Sequence, residues 1–471
     1  MSALVLGLAA LLGATPTAPA ARPAAQSAPA APAASTGTTR TADLTSAAEP
    51  AASAASASDA LAAPPRFRER LDLSHLFTVD SLTARHLSFS DLRLGAEAQR
   101  LFDVPLGVVI DGRARHSWNA LADDRTTLTE GYLRYGDDTD AWRLRLGRQL
   151  IRAVASAEVD GASLEHQWSP ATSAVAFAGL LPNPWDMSFN PDFITAGVGL
   201  ENKNVNDSQS GGLVLCTYRQ ALDRAYATHR ALYTYGQTLT ASSFTTVDFL
   251  SREPLAALGS KTGLDLTSFN GLVRLRPARA FDTSLAVTHN HTLLPNRWWD
   301  YYISEEQKRH GFVIDGLEPV GTRLSSVRWT NTLSLGPAFA PYVRLRYDMR
   351  HNQKATGSEA RAGLKWRPAF GYVNVAVAYR DYFGVPSRLG EATFGIEQPH
   401  FGVEGGLTVL ALQVRNQAGW KTSYNPYGMT WFDLGAWSPT LAHLRLLGEY
   451  QGFLEPTETT HAFFVQLAHR L

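Results

Sequence analysis

The stretch AWRLRLGRQL, residues 141 to 150, sets Arg143 and Arg145 between Trp142, Leu144 and Leu146, with a further arginine at 148. Wound into a helix, its first residues would scatter arginine and leucine around the whole cylinder and leave no face to bury. Extended, they separate cleanly. Successive side chains of a strand point to opposite faces, so Trp142, Leu144 and Leu146 line one side and Arg143 and Arg145 the other. A half-buried strand of a soluble sandwich alternates in the same way, so the inference depends on how often the pattern recurs.

It recurs along most of the chain. In PYVRLRYDMR (341 to 350), Val343, Leu345, Tyr347 and Met349 alternate with Tyr342, Arg344, Arg346, Asp348 and Arg350. In RAGLKWRP (361 to 368), Ala362, Leu364 and Trp366 alternate with Arg361, Gly363, Lys365 and Arg367. The final HAFFVQLAHRL sets Phe463, Val465, Leu467 and Leu471 against Phe464, Gln466, Ala468 and Arg470, and His469 breaks the apolar phase. Charge on one face, with large aromatics near strand ends on the other, suits a sheet with water on one side and lipid on the other.

Composition narrows the choice. The 471 residues carry 43 basic and 43 acidic side chains, and zero net charge removes any bulk argument for nucleic-acid binding. One cysteine, Cys216, excludes an internal disulfide framework and a CxxC site, and reads as a small residue in the strand GGLVLCTYRQ. No apolar run reaches the roughly eighteen residues of a spanning helix, so a membrane crossing would need a closed barrel. Residues 1–20, with the apolar ALVLGLAALL and the small residues Ala18 and Ala20, read as a secretory signal lacking a basic start. Residues 21–64 are almost wholly Ala, Pro, Ser and Thr and read as a disordered periplasmic tether. The expected barrel occupies 65–471.

Over that region roughly twenty alternating segments of about eight to fourteen residues can be marked, whereas about 405 residues more often make about eighteen strands. The expectation is an all-β, transmembrane, antiparallel up-and-down barrel of about eighteen strands, with sixteen to twenty open. Short turns built on proline occur at WSPATS (168), RPARAF (276), GPAFAP (336), RPAFG (367) and WSPTLA (437). Longer segments occur at 181–209, 240–263, 292–321 and 418–428. If the first strand rises from the periplasm, alternation puts every proline turn inside and every long segment outside, the asymmetry of an outer-membrane barrel.

RLRLGRQL followed by VDGASLEH resembles the Leu-Gly-Arg-Gln and Asp-Gly pair of Gram-negative porins and of the alginate-export type of outer-membrane barrel, through Gly147, Arg148, Gln149, Asp160 and Gly161. The likeness is strong over some thirty residues and elsewhere extends only to architecture. It implies a channel in the outer membrane of a Gram-negative bacterium, and a last strand recognised by the barrel assembly machinery. Leu471 stands where such a strand ends in an aromatic.

The expected lumen face carries Arg113, Arg115, Arg134, Arg143, Arg145, Arg274, Arg276, Arg344, Arg346, Arg361, Lys365 and Arg367. Of the 43 basic residues, 37 are arginine, a bias that a GC-rich genome also produces, but composition does not explain their common phase. Guanidinium groups offer forked donors to carboxylates, phosphates and sugar hydroxyls; alternatively they pair with Asp111, Glu130, Asp265, Asp348 and Glu449 to hold a wet interior together. In NRWWDYYISEE (296 to 306), Trp298, Trp299, Tyr301 and Tyr302 could stack on sugar rings beside Arg297 and Asp300, or serve as interfacial anchors. NPWDMSFNPDF (183 to 193) invites the same two readings. His289 and His291 of THNHT share a strand face, but no third metal ligand is identifiable and no metal or other cofactor is expected. No nucleophile elbow or other catalytic spacing occurs. The leading expectation is a channel without a catalytic step that carries polar or anionic saccharides, above all a secreted polysaccharide delivered by a periplasmic export protein. A general small-solute porin is the alternative, and a surface receptor or adhesin anchored by the barrel is a third reading.

Overall fold

The computed structural model describes residues 67–80, 85–101, 104–118, 124–137, 139–154, 157–183, 187–251, 261–291, 323–351, 353–413, 419–438, 441–455 and 459–470. The expected signal segment and tether lie outside the described residues. So do Arg297, Trp298, Trp299, Tyr301 and Tyr302.

The strands are β1 (Phe67–Asp80), β2 (Arg85–Ala98), β3 (Leu106–Ser117), β4 (Arg125–Tyr135), β5 (Trp142–Ile151), β6 (Ala157–Ser169), β7 (Thr172–Leu180) and β8 (Phe193–Lys203). They continue as β9 (Asp207–Tyr218), β10 (Ala221–Tyr235), β11 (Leu239–Ser251), β12 (Lys261–Ala278), β13 (Phe281–His291), β14 (Arg323–Leu333) and β15 (Phe339–Arg350). The series ends with β16 (Ala355–Trp366), β17 (Gly371–Asp381), β18 (Pro386–Glu397), β19 (Phe401–Gln413), β20 (Trp420–Asp433), β21 (Leu444–Leu454) and β22 (Thr459–Arg470).

Each strand pairs antiparallel with its neighbours in sequence, and β1 pairs with β22 from Arg70 opposite Arg470 to Asp80 opposite Thr460. The sheet is therefore a closed barrel of 22 strands and has no free edge.

The strand number corrects the expectation of about eighteen. Three of the stretches read as long external segments contain strands: β8 and the start of β9 lie within 181–209, most of β11 within 240–263, and much of β20 within 418–428. β11 carries Ser and Thr on both faces, so its period is faint. β20 contains Pro426, which cannot donate to a ladder. Its register with β21 runs from Tyr424 opposite Leu454 directly to Tyr427 opposite Gln451, so the proline sits where pairing is interrupted.

Closure makes one face of every strand interior and the other exterior, and the register carries each assignment around the ring. Leu345 on β15 lies opposite Trp329 on β14 and Ala360 on β16, whereas Arg344 lies opposite Thr330 and Arg361. Along the Leu345 face run exposed apolar side chains such as Leu94, Ile110, Leu133, Val198, Leu213, Val327, Val375, Val377 and Phe394. Charged side chains converge on the other. An apolar face exposed around the whole circumference is stable only against lipid, so this is the outside. Aromatic rings gather toward strand ends, where Trp142 stacks on His166 at 4.0 Å and Phe339 on Trp366 at 6.2 Å. Such rings suit the membrane–water interface.

The connections sort by rim. The five proline turns all follow even-numbered strands and share one rim; His291 at the end of β13 and Arg323 at the start of β14 stand at the other.

Candidate functional site

The interior wall is the candidate site. On β3, Arg113 and Arg115 reach the same carboxylate on β2: Asp91 accepts from Arg113 Nε at 3.0 Å and from Arg115 Nε at 3.0 Å. On β5, Arg143 and Arg145 share Glu165 of β6, with Arg145 at 3.4 Å. On β12, Arg274 and Arg276 share Asp282 of β13, each through Nε at 2.9 Å. The cause is the pleat: residues two apart on one strand lie on the same face, about 7 Å apart, within reach of one side chain across the ladder. Each such triad keeps one positive charge in excess.

The fourth Arg-x-Arg pair is less compensated. Arg346 Nε bonds Asp348 at 2.9 Å, while Arg344 Nε is buried with no hydrogen-bond acceptor among the described residues. Arg344 stands directly opposite Arg361, and Arg346 directly opposite Arg328. Like charges opposed across a ladder destabilise it, so the fold alone gives no reason for this arrangement. Arg361 is held by Glu391 of β18 at 2.6 Å, and Lys365 lies over the Tyr342 ring at 5.4 Å. The resulting wall on β14 to β17 comprises Arg328, Arg344, Arg346, Arg350, Arg361, Lys365 and Arg380, with Asp348 and Glu359 as the carboxylates on the inner face of the same strands. Beyond Glu391, the inner face turns toward carboxylates. Glu404 accepts from the Tyr372 and Tyr427 hydroxyls, and Glu449 accepts from Gln451 Nε2 at 2.6 Å.

Of the remaining expected residues, Arg134 lies opposite Arg145 on the inner face. Arg367 follows the end of β16 in the turn, where its N–H bonds the Ala338 carbonyl at 2.7 Å. Arg93, Arg224, Arg328 and Arg380 were not singled out from sequence. Arg93 donates to Asp111 through Nε at 3.0 Å and Nη2 at 2.7 Å. Arg328 sits in VRWTN with apolar Val327 and Trp329 on either side, so the same alternation marks it. His289 and His291 turn to different partners: His289 Nδ1 lies 2.7 Å from Ser325 Oγ, and His291 Nδ1 lies 2.9 Å from the Asp265 carboxylate.

The wall is not a bare cylinder. After β5 the chain makes a short turn, Arg152–Val154, which folds inward over β8 and β9. Val154 is fully buried there, packed with Ile151, Val159, Phe177, Val214 and Cys216. Its seat exists because Gly199 and Gly212 carry no side chain: a Cβ at Gly199 would run into Val154, and one at Gly212 would strike the Val198 carbonyl and crowd Val154. Below this inward apolar cluster lies a polar recess of about 350 Å³ lined by Arg143, Arg145, Glu165, Glu201 and Lys203.

The residues of the Leu-Gly-Arg-Gln and Asp-Gly resemblance explain themselves locally. Arg148 donates to Asp160 across the β5–β6 ladder through Nε at 2.6 Å and Nη2 at 2.5 Å, and to the Leu128 carbonyl at 2.9 Å. Gln149 accepts from Ser163 at 2.6 Å, and Gly147 has a φ of +126° that a side chain would disfavour. They fix a hairpin, and so are silent about cargo.

A closed, even-numbered antiparallel barrel with apolar residues outside, ions inside and its proline turns on a single rim has the construction of a Gram-negative outer-membrane barrel, and the protein belongs in that membrane. No family model matches the sequence, and no curated protein matches it. Among solved structures, the chain is similar to crystal structures of Pseudomonas aeruginosa OccK3 (OpdO), at 11% identity over 86% of this chain and 95% of that one with a TM-score of 0.41. It is also similar to Pseudomonas aeruginosa OpdQ, at 8% identity over 86% and 97% with a TM-score of 0.43. A third is Acinetobacter baumannii OccAB1, at 9% identity over 86% and 97% with a TM-score of 0.39.

Proposed function

We propose that the protein is a water-filled channel for small polar solutes that favours anions, and that the residues expected on the lumen face set this preference. The carrying observation is the repeated triad in which two arginines on one strand share one carboxylate on a neighbouring strand, with Arg328 and Arg344, which have no ion-pair partner among the described residues, added to it. An inner surface of one sign concentrates counter-ions, and a series of weak sites dispersed over many strands lets them leave again. No catalytic step is involved. The expectation of a secreted polysaccharide, with its periplasmic export protein, gives way to the small-solute alternative. Its supports were the resemblance around Gly147 and Asp160, the basic lumen and the aromatic loop; the first residues hold a hairpin together, the loop lies outside the described residues, and a basic lumen serves small anions equally.

Replacing Arg115, Arg145 and Arg276 together by glutamine tests the proposal without leaving any carboxylate unpaired, because Arg113, Arg143 and Arg274 remain on Asp91, Glu165 and Asp282. In planar bilayers the chloride-to-potassium permeability ratio should fall by about threefold or more while single-channel conductance persists. An unchanged ratio would remove the triads from the account.

A further inference from the structure

The outer surface of β15 to β19 is not uniformly filled. A groove of about 670 Å³, almost wholly apolar, runs over it. On this face its lining is small at Ala360, Ala362, Gly390 and Ala411 and larger at Val343, Val377, Tyr379 and Val409. Val377 is 63% exposed and Tyr379 52%, so the groove opens onto the lipid-facing surface.

At the end nearer the rim of the β17–β18 connection stands Arg388, one register row beyond Gly390. It is exposed, and its guanidinium lies over the Trp420 ring at 4.6 Å. Among the described residues no carboxylate pairs with it. Asp381, one row nearer the rim on β17, is engaged by the turn, where it accepts the Gly384 N–H at 2.8 Å. An outward guanidinium at the margin of a hydrocarbon layer calls for an anion, and the groove running inward from it calls for a chain of methylenes. One molecule supplies both.

We propose that this groove holds an acyl chain of an anionic, phosphate-bearing membrane lipid, with the phosphate on Arg388 and the Trp420 ring beneath the guanidinium. The inference rests on the reading that the outer face of the barrel meets lipid. Gly390 supplies the floor: a Cβ built there meets nothing within 4 Å, so a larger side chain would enter the groove without disturbing the ladder.

The test is native mass spectrometry of the purified barrel given equal amounts of phosphatidylglycerol and phosphatidylcholine with identical chains. The wild type should retain phosphatidylglycerol over phosphatidylcholine by about fivefold, the preference expected of one interfacial cation. Arg388→Gln should bring the two to parity, and Gly390→Trp should abolish retention of both. Neither residue faces the lumen, so both variants should conduct as the wild type does, which separates loss of the site from loss of the fold. Equal phosphatidylglycerol retention in all three proteins would overturn the proposal. So would a wild type that retains no lipid and an oligomer that Gly390→Trp dissociates, since a second copy would then occupy the groove. Failure of the wild type to insert into vesicles of these lipids would sink the membrane reading itself; insertion without lipid preference would sink the groove alone.

Discussion

Replacing Arg224 by alanine is expected to destabilise the barrel by about 3–5 kcal/mol, the loss typical of removing one member of a buried ion pair. Its partner Asp248 is fully buried on the inner face of β11, accepting from Arg224 Nη2 at 3.0 Å and from Thr267 Oγ1 at 2.6 Å. Both strands are irregular here, with register shifts next to Arg224 on β10 and Asp248 on β11, so the ladder supplies less of the local order. Without the guanidinium, the carboxylate keeps one hydroxyl donor and no compensating charge. Removing Asp248 as well should therefore restore part of the stability: Arg224→Ala with Asp248→Ala should unfold at higher urea than Arg224→Ala alone. Reversible urea unfolding of the vesicle-reconstituted barrel checks this order, and a double variant less stable than the single would contradict it.

Leu345→Arg comes next in size. Leu345 lies near the middle of β15, points outward and is 42% exposed, so arginine there would face hydrocarbon and cost about 2–4 kcal/mol. Its neighbour offers the control. Arg344→Leu places an apolar group on the wet face and relieves the opposition to Arg361, so its unfolding midpoint should stay close to that of the wild type while the channel current changes. Equal tolerance of the two substitutions would mean that the faces are exchanged.

The alternation seen at Arg143 and Arg145, repeated along the chain, marks a barrel wall, because an interior that is wet and charged writes its period in the strongest contrast a sequence offers. Where the interior takes uncharged residues the contrast fades. Thr246 and Ser242 line the inside of β11 while Thr245 and Ser243 line the outside, so from sequence this strand reads as part of a loop. Pro426 misled in another way, since a proline argues against a strand except where the ladder is interrupted, and the interruption is a property of the partner strand. The Arg-x-Arg pairs are legible in the sequence as wall residues; that three of them each close on a single carboxylate is not, because Asp91, Glu165 and Asp282 are chosen by register. The inward turn at Val154 depends on Gly199 and Gly212, more than forty residues away in the chain, and nothing local to AVASAEV announces it.

The reversal potential of a single wild-type barrel in a planar bilayer, under a tenfold potassium chloride gradient, tests the central claim most directly. An inner wall with arginine in excess predicts a zero-current potential of the sign set by chloride moving down its gradient, and a conductance that persists without added ligand. A potential of the sign set by potassium would contradict it.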